Sequence, residues 1–199
     1  MGPHASAGVR VGVLVLAAGQ AARMGASKLT LPLHGRPVLA HVLEAAAAAG
    51  LPALVVTGAH AAEVRRAAGA VPAVHAPSHA EGLSASLRAG LAAVPEAWSA
   101  VLVALGDMPA VRAGTYRALA EALAAGAPAV VPVHGRRRGN PAGFSRACFP
   151  ALMALRGDCG ARGLLDRLGA RELPVDDPGI LLDLDRPEDF DRISGEARP

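Results

Sequence analysis

The stretch 11–28, VGVLVLAAGQAARMGASK, limits the possible folds of this chain more than any other part of the sequence. A run of aliphatic residues ends abruptly in small residues and opens into a loop that contains glycine. The loop also carries Arg23 and Lys28. Backbone N–H groups can reach an anion where no side chain intervenes, and the two basic side chains add positive charge. The stretch therefore predicts a buried strand that ends in a phosphate-binding loop.

The spacing of this loop excludes two common nucleotide-binding motifs. It matches neither G-x-x-x-x-G-K-[ST] nor G-x-G-x-x-G. The loop is therefore neither a Walker A loop nor a dinucleotide fingerprint, and an NAD-dependent oxidoreductase is disfavoured.

Length and composition narrow the class of protein. The 199 residues suffice for one domain, and we expect residues 10–194 to form it, between a flexible leader, 1–9, and a flexible tail, 195–199. Only 3% of the residues are aromatic, so base stacking on aromatic platforms is not expected, and we predict no nucleic-acid partner. The net charge of +3 suits an anionic ligand.

The cysteines and the hydropathy pattern indicate where such a chain works. Cys148 and Cys159 are too few for a disulfide framework, and their spacing is not that of a zinc site. No apolar run reaches the roughly 18 residues that cross a bilayer, so we predict no membrane partner. These features favour a cytoplasmic protein.

Strand-like and helix-like runs alternate along the chain, which predicts a three-layer α/β/α fold with a mostly parallel sheet. In such sheets ligands bind beyond the carboxyl ends of the strands. The predicted strands are 11–16, 53–57, 71–75, 100–105, 129–133, 172–175 and 181–184, and the predicted helices are 37–49, 61–68, 83–93, 113–125, 146–155, 161–168 and 187–193.

Asp107 follows the predicted strand 100–105 directly, in the sequence G-D-M-P. A carboxylate there can bind Mg²⁺, which is usually held by one or two carboxylates together with substrate phosphates and water. The alternative is that Asp107 caps the following helix. With a phosphate-binding loop predicted at the same edge of the sheet, the metal interpretation is favoured.

A second acidic group lies near the C-terminus, in the sequence L-D-L-D-R-P-E-D at 182–189. Along a strand, Asp183 and Asp185 would lie on the same face, where two carboxylates repel each other unless a cation joins them. The alternative is that Asp185 begins a helix with Pro187 in its first turn. We take Asp185 as the candidate second metal ligand, with Asp183 in a lesser role.

Three further groups have both a structural and a functional interpretation. Ser84 and Ser86 open the predicted helix 83–93, where their hydroxyls either cap the helix or bind a ligand. The basic turn 135–141 can be a solvated hairpin. Asp158 can cap the predicted helix 161–168, which follows it in the sequence. The sequence has no G-x-S-x-G nucleophile motif. These residues suit a reaction in which the protein aligns phosphates and neutralises their charge.

Taken in order, six segments resemble the molybdenum cofactor nucleotidyltransferases, and among them the molybdenum cofactor cytidylyltransferases most of all. The segments are L-A-A-G-x-x-x-R-M-G-x-x-K at 16–28, E-G-L-S-A-S-L at 81–87, G-D-M-P at 106–109, R-G-N-P at 138–141, G-D-C-G-A-R at 157–162 and D-L-D-x-P-E-D at 183–189.

The resemblance implies a Rossmann-like nucleotidyltransferase fold of the nucleotide-diphospho-sugar transferase type. It also implies Mg²⁺-dependent transfer of CMP from CTP to the terminal phosphate of molybdopterin or its molybdenum form, with release of pyrophosphate.

The resemblance further assigns roles to residues of this chain. Those implied to bind the nucleotide are Leu16, Ala17, Ala18, Gly19, Arg23, Gly25, Lys28, Ser84, Ser86 and Asp107. Those implied to be catalytic are Arg23, Lys28 and Asp107. The implied Mg²⁺ ligands are Asp107 and Asp185, and the implied acceptor-binding residues are Arg138, Asn140, Asp158 and Arg162.

Other interpretations stay open at this point. Ala18 favours CTP over GTP, because the guanylyl-transferring relatives usually carry glycine there. Ala76, Asn140 and Arg186 stand where relatives often have asparagine, histidine and threonine, which leaves another phosphorylated acceptor possible. A non-catalytic cofactor chaperone that serves a molybdoenzyme is a further alternative.

Overall fold

A mostly parallel β-sheet forms the centre of the molecule and carries helices on both faces. The computed structural model describes residues 10–19, 27–158, 160–185, 189, 190 and 193. Within these residues the main sheet has eight strands in the order β10-β7-β9-β6-β1-β4-β5, with β8 paired to β7. The strands are β1 Val11–Ala17, β4 Ala53–Thr57, β5 Ala73–His75, β6 Ala100–Leu105, β7 Ala129–His134, β8 Arg137–Arg138, β9 Ala142–Ser145 and β10 Arg171–Pro174, and a separate hairpin pairs β2 Pro32–Leu33 with β3 Arg36–Pro37.

β1 lies in the middle of the sheet, parallel to β4 on one side and to β6 on the other. Its residues Val13, Leu14 and Val15 have no exposed surface. A strand covered on both faces needs a continuous apolar run, which explains the composition of this stretch. Leu16 lies opposite Leu105 of β6, so β1 and β6 end at the same edge of the sheet.

The helices divide between the two faces. One apolar cluster contains alternate residues of β1, among them Val13 and Val15, together with residues of α1, α2 and α4. The other contains Leu14 and Leu16 with residues of α3 and α5. The helices are α1 Val38–Ala48, α2 Ala61–Ala68, α3 Leu83–Ala93, α4 Ala113–Ala124 and α5 Phe149–Met153. This arrangement confirms the predicted three-layer α/β fold.

In the part of the chain that the structure describes, no helix combines the length and apolarity needed to cross a membrane.

The antiparallel part of the sheet was not predicted. β9 lies between β6 and β7 and pairs with both in antiparallel orientation. Its sequence, AGFS, is short and rich in small residues, so neither length nor alternation marks it as a strand. β7 and β8 form a hairpin in which Gly135 and Arg136 have φ of 53° and 68°, as in a type I′ turn. The hairpin interpretation of the basic turn 135–141 is thereby confirmed.

The predicted strand 181–184 is wrong. Pro178–Leu181 forms a 3₁₀ turn instead, and residues 182–185 belong to no strand. Asp177 begins this turn by accepting a hydrogen bond from the Gly179 N–H at 3.0 Å, and a proline follows it. Asp183 and Asp185 therefore do not share the face of a strand.

Two predicted helices near the C-terminus differ from the structure. The region predicted as helix 161–168 has a 3₁₀ turn over Ala161–Leu164. Of the predicted helix 187–193, Asp189, Phe190 and Ile193 are helical, and the other residues lie outside the described part of the chain.

Close packing of Gly12 against Trp98 generates a test of this core. A Cβ added at Gly12 would lie 2.1 Å from the Trp98 ring, which is 5% exposed. We expect Gly12→Ala to lower the free energy of unfolding by about 1–3 kcal/mol, because the ring has to move. Gly114→Ala is the control: nothing lies within 4 Å of its added Cβ, and alanine stabilises a helix by up to about 1 kcal/mol over glycine. Urea denaturation of both variants measures the difference, and equal stabilities would contradict the packing described.

Candidate active site

A cavity of about 430 Å³ opens at the carboxyl ends of β1 and β6. This is the edge at which parallel α/β sheets bind ligands. The residues that line it come from the end of β1, the 3₁₀ turn Lys28–Thr30, the residues after β5, the start of α3, the end of β6 and the loop before residue 160: Leu16, Ala17, Ala18, Gly19, Ser27, Lys28, Leu29, His79, Ala80, Gly82, Leu83, Ser86, Leu105, Asp107 and Asp158.

The end of β1 forms one wall of the cavity. The Gly106 N–H donates a 2.9 Å hydrogen bond to the Leu16 carbonyl, so the loops that follow β1 and β6 begin side by side. A Cβ at Gly19 would meet nothing within 4 Å, so its backbone is open to the cavity. The structure thus places the four predicted residues 16–19 in this wall. Arg23 and Gly25, also predicted to bind phosphate, lie outside the described residues.

Lys28 joins two carboxylates from distant parts of the chain. Its Nζ lies 2.6 Å from Asp107 Oδ2 and 2.6 Å from Asp185 Oδ1. The side chains of Lys28 and Asp107 are 24% and 20% exposed, whereas that of Asp185 is 58% exposed. The Lys28 ammonium therefore contacts both predicted metal ligands, and this group of three side chains lies next to the cavity.

The surroundings of Lys28 shift its pKa. Burial lowers the pKa of Lys28, but the charge and hydrogen bond of Asp107, followed by those of Asp185, outweigh burial and hold it above its ordinary value of 10.5. The pKa of Asp183 is raised, first by desolvation of its carboxyl group and then by the charges of Asp185 and Asp107. The shift of Lys28 therefore reflects the two carboxylates beside its ammonium, whereas that of Asp183 reflects mainly burial.

The carboxylate of Asp107 has the chemistry of a ligand for a hard divalent cation. Its Oδ1 is buried and has no hydrogen-bond partner within the described residues. A buried carboxylate oxygen without a partner is costly, and a cation satisfies it. In the described part of the chain no three acidic, histidine or cysteine side chains group into a complete metal site. Asp107 and Asp185 alone match Mg²⁺, which takes its remaining ligands from phosphates and water.

The two serines of α3 do not cap their helix. The N-cap residue is Gly82, with φ of +110°, and no side chain caps this end. Ser86 lines the cavity. Ser84 is fully buried, and its hydroxyl accepts a 3.2 Å hydrogen bond from Arg88 Nη1. Of the two serines, Ser86 therefore lies in the cavity wall, whereas Ser84 is buried and does not line the cavity.

Asp158 lies in the cavity wall rather than at a helix cap. The 3₁₀ turn Ala161–Leu164 that follows has Gly160 as its N-cap residue and no side-chain cap, so the capping interpretation of Asp158 is wrong. A Cβ at Gly82 would lie 2.4 Å from Asp158 Oδ1, and the Ser84 N–H donates to the Gly157 carbonyl at 3.2 Å. These contacts hold the turn containing Asp158 against the start of α3.

The other predicted acceptor-binding residues do not line this cavity. Arg138 binds Asp166 at 2.6 Å and Glu172 at 2.7 Å. Arg162 Nη2 donates to the Arg138 carbonyl at 3.2 Å. The Asn140 N–H donates to the Ile180 carbonyl at 2.9 Å. Near β8, these three residues therefore form ion pairs or hydrogen bonds with other residues of the protein.

Several residues that line the cavity were not predicted from the sequence. They are Ser27, Leu29, His79, Ala80, Gly82, Leu83 and Leu105. His79 and Ala80 follow the carboxyl end of β5, so the rule that located the other loops could have located them too. Gly82 and Leu83 lie in the quoted segment 81–87 but were given no role, and no residue-type pattern marks Ser27, Leu29 or Leu105.

The family comparison agrees with this geometry. Residues 13–172 match the MobA-like NTP transferase domain, and the chain belongs to this family. The matched region includes Lys28 and Asp107 but ends before Asp185.

Individual relatives share the fold and part of the sequence. The bifunctional protein GlmU of Agrobacterium fabrum is 32% identical over 187 residues; the match covers 78% of this chain but only 41% of that protein. The crystal structure of Rv0371c from Mycobacterium tuberculosis H37Rv is 32% identical with a TM-score of 0.84, covering 94% of this chain and 99% of the other. Rv0371c has also been crystallised as a complex with manganese, at a TM-score of 0.80 and 29% identity, covering 95% of this chain and all of the other. A nucleotidyl transferase from Methanothermobacter is 28% identical with a TM-score of 0.80, covering 94% and 96% of the two chains. The chain is a nucleotidyltransferase enzyme.

The position of Lys28 generates a direct test, because it is the only lysine in the sequence. We expect an NMR titration of protein labelled with ¹³C,¹⁵N-lysine to give a pKa above 10.5 for the wild type. Asp107→Asn should lower that pKa, since Asp107 is the strongest of the groups that raise it. The stability that this ion pair provides is fully present below 10.5 and is lost as the pH rises through the higher native pKa. A wild-type pKa at or below 10.5, or one that Asp107→Asn leaves unchanged, would contradict the arrangement.

Proposed function

We propose that this protein transfers CMP from CTP to the terminal phosphate of molybdopterin or its molybdenum form, releases pyrophosphate and requires Mg²⁺. The observation that carries the proposal is the contact of Lys28 with both Asp107 and Asp185 beside the cavity at the ends of β1 and β6. This contact brings one cation and two candidate metal ligands to the place where the sheet binds its ligand.

The cavity wall supports the nucleotide part of this proposal. Leu16, Ala17 and Ala18 are almost fully buried, so base and ribose would meet mainly their backbone groups. Gly19 leaves room for a phosphate to approach the main chain. Arg23 and Gly25, which the resemblance assigns to the triphosphate, follow Gly19 in the sequence.

The donor set supports the metal part. Asp107 and Asp185 would hold the Mg²⁺, and the buried Oδ1 of Asp107 would gain the partner that the described residues do not provide. When bound, the ion would supply positive charge to the phosphates of the nucleotide. The manganese complex of the relative Rv0371c is consistent with a divalent ion in this family.

The chemistry needs little from the protein beyond position and charge. An oxygen of the acceptor phosphate attacks the α-phosphorus of CTP; a P–O bond forms there, the bond to the β-phosphate breaks, and pyrophosphate leaves with the electron pair. The attacking phosphate is already anionic, so no general base is required. Lys28 lies in the cavity wall and would offset the negative charge that accumulates during transfer.

The acceptor would enter the cavity along the wall that the start of α3 forms together with the turn that contains Asp158. The Asp158 carboxylate can accept hydrogen bonds from the amino group of a pterin. Leu83 is 38% exposed in the same wall and offers apolar surface to a planar ring. Arg138, Asn140 and Arg162 would contact the acceptor only where it extends beyond this cavity.

An assay with labelled CTP, Mg²⁺ and molybdopterin tests the proposed reaction. We expect pyrophosphate release that EDTA abolishes. Asp107→Asn should reduce kcat by about 10²–10³-fold, because it removes one of the two carboxylates that would hold the Mg²⁺ against the reacting phosphates. Glu96→Gln changes the same charge at an exposed position away from the cavity and should leave kcat unchanged.

Full activity in EDTA, or an Asp107→Asn variant as active as wild type, would overturn the proposed role of the carboxylates. If the enzyme used a different phosphorylated acceptor and not molybdopterin, it would still be a nucleotidyltransferase, but the proposed pterin acceptor would be wrong. Tight binding of the cofactor without turnover would instead support the chaperone interpretation.

Ala18 tests the choice of base. We expect Ala18→Gly to raise the ratio of kcat/KM for GTP to kcat/KM for CTP by about tenfold, the usual effect of one methyl-sized change in a pocket. Ala80→Gly removes a methyl group elsewhere in the cavity wall and should leave the ratio unchanged. Equal ratios in wild type and Ala18→Gly would show that Ala18 does not select the base.

A further inference from the structure

Two chain segments that carry the carboxylates run side by side, and we call them the paired segments: residues 106–112, which follow β6, and residues 177–185. At one end of the pair, the Leu184 N–H donates a 2.9 Å hydrogen bond to the Asp107 carbonyl. Asp107 and Asp185 lie at this end, one on each segment, with Lys28 between their side chains. The separation of the two carboxylates therefore depends on how the paired segments align.

The middle of the paired segments has no room for a shift. A Cβ at Gly179 would lie 2.1 Å from the Ala110 carbonyl oxygen, so the two backbones are in close contact there. Contacts of 184 with 107 and of 179 with 110 show that the segments run in opposite directions.

The far end of the paired segments is joined by Asp177, which is 2% exposed. Its Oδ2 accepts hydrogen bonds from the Arg112 N–H at 2.9 Å and from the Thr115 hydroxyl at 2.6 Å. Its Oδ1 accepts from the Gly179 N–H at 3.0 Å, which fixes the turn that brings Gly179 against Ala110. A single buried carboxylate thus links the second segment both to the end of the first and to the start of α4.

We propose that Asp177 is a positioning residue that aligns the paired segments and thereby sets the separation of Asp107 and Asp185 for a divalent cation. The inference rests on the proposed function, because it assigns those two carboxylates to the metal. Asp177 itself does not line the cavity and is not a catalytic residue.

The contacts of Asp177 require a carboxylate rather than an amide. All three donors point at its two oxygens, and an ionised carboxylate accepts without donating. In Asp177→Asn the amide NH₂ replaces one oxygen in either orientation. The NH₂ group then faces the backbone N–H of either Gly179 or Arg112. Two hydrogen-bond donors oppose each other there, so at least one hydrogen bond is lost.

Direct Mn²⁺ binding by the purified protein tests the inference, with the EPR signal of free Mn²⁺ as the readout. We expect Asp177→Asn to weaken Mn²⁺ binding by about 10- to 100-fold, the usual effect of removing a group that orients metal ligands. In the transfer assay kcat should fall while the KM for CTP stays close to the wild-type value, because the nucleotide wall is untouched. Asp176→Asn is the matched control: it removes the same charge one residue away, at an exposed position, and should bind Mn²⁺ like wild type.

Thr115 provides a second pair of variants in case Asp177→Asn does not fold. Thr115→Val removes one of the three donors to Asp177 and should weaken Mn²⁺ binding, whereas Thr115→Ser keeps the hydroxyl and should restore it. Thermal unfolding of each variant confirms that binding is measured on folded protein.

Each outcome supports or overturns the inference. A folded Asp177→Asn protein that binds Mn²⁺ as tightly as wild type overturns it and leaves the proposed function intact. If Asp177→Asn does not fold, equal binding by Thr115→Val and Thr115→Ser overturns it. A wild-type protein that neither binds Mn²⁺ nor transfers CMP overturns the proposed function, and the positioning role with it.

Discussion

One ammonium group, that of Lys28, joins two carboxylates that come from distant parts of the chain. Lys28 begins the 3₁₀ turn Lys28–Thr30, and Asp185, which it contacts at 2.6 Å, is 157 residues further along the chain. Asp107 comes from between them, at the end of β6. Without Lys28, the carboxylates of Asp107 and Asp185 would repel each other across a partly buried space. The fold therefore brings Lys28, Asp107 and Asp185, which are far apart in the sequence, to one edge of the sheet.

The parallel sheet is what makes this meeting possible. β1 and β6 are adjacent and run in the same direction, so their loops emerge together. The strands are apolar because both faces of the sheet are buried. Polar side chains that bind a ligand therefore lie in the loops beyond the carboxyl ends of the strands. Asp185 reaches the same place by a different route. Its segment is not a strand, and it is held by the Leu184 N–H on the Asp107 carbonyl and by the buried Asp177 carboxylate.

Some of the architecture and part of the site could be predicted from the sequence. The predicted bounds of β4, α2, α3 and β6 agree with the structure, because apolar runs mark the two strands and a glycine or proline lies next to an end of each element. Lys28 and Asp107 were predicted to bind at the same edge, since the ends of parallel strands share it. Asp185 was predicted to bind a metal together with Asp107; the structure brings both carboxylates to Lys28, although the strand that was expected to present Asp185 is absent.

The rest could not be predicted because it depends on backbone contacts. β9 is four residues long and owes its place to pairing with β6 and β7 rather than to an apolar pattern. The sequence does not distinguish Asp177 from an exposed acidic residue, because two of its three hydrogen-bond partners, Arg112 and Thr115, lie more than 60 residues away. Arg138 and Arg162 matched a family motif, but a motif does not specify which side of the molecule a turn faces.

A crystal structure of the protein with CTP and Mn²⁺ would show which side chains hold the metal, because anomalous scattering locates the manganese ion independently of any assumed chemistry. We expect one ion at the edge of the sheet, within coordination distance of both Asp107 and Asp185, with the triphosphate along residues 16–19. An ion held by other side chains, or a triphosphate bound away from the end of β1, would contradict this expectation.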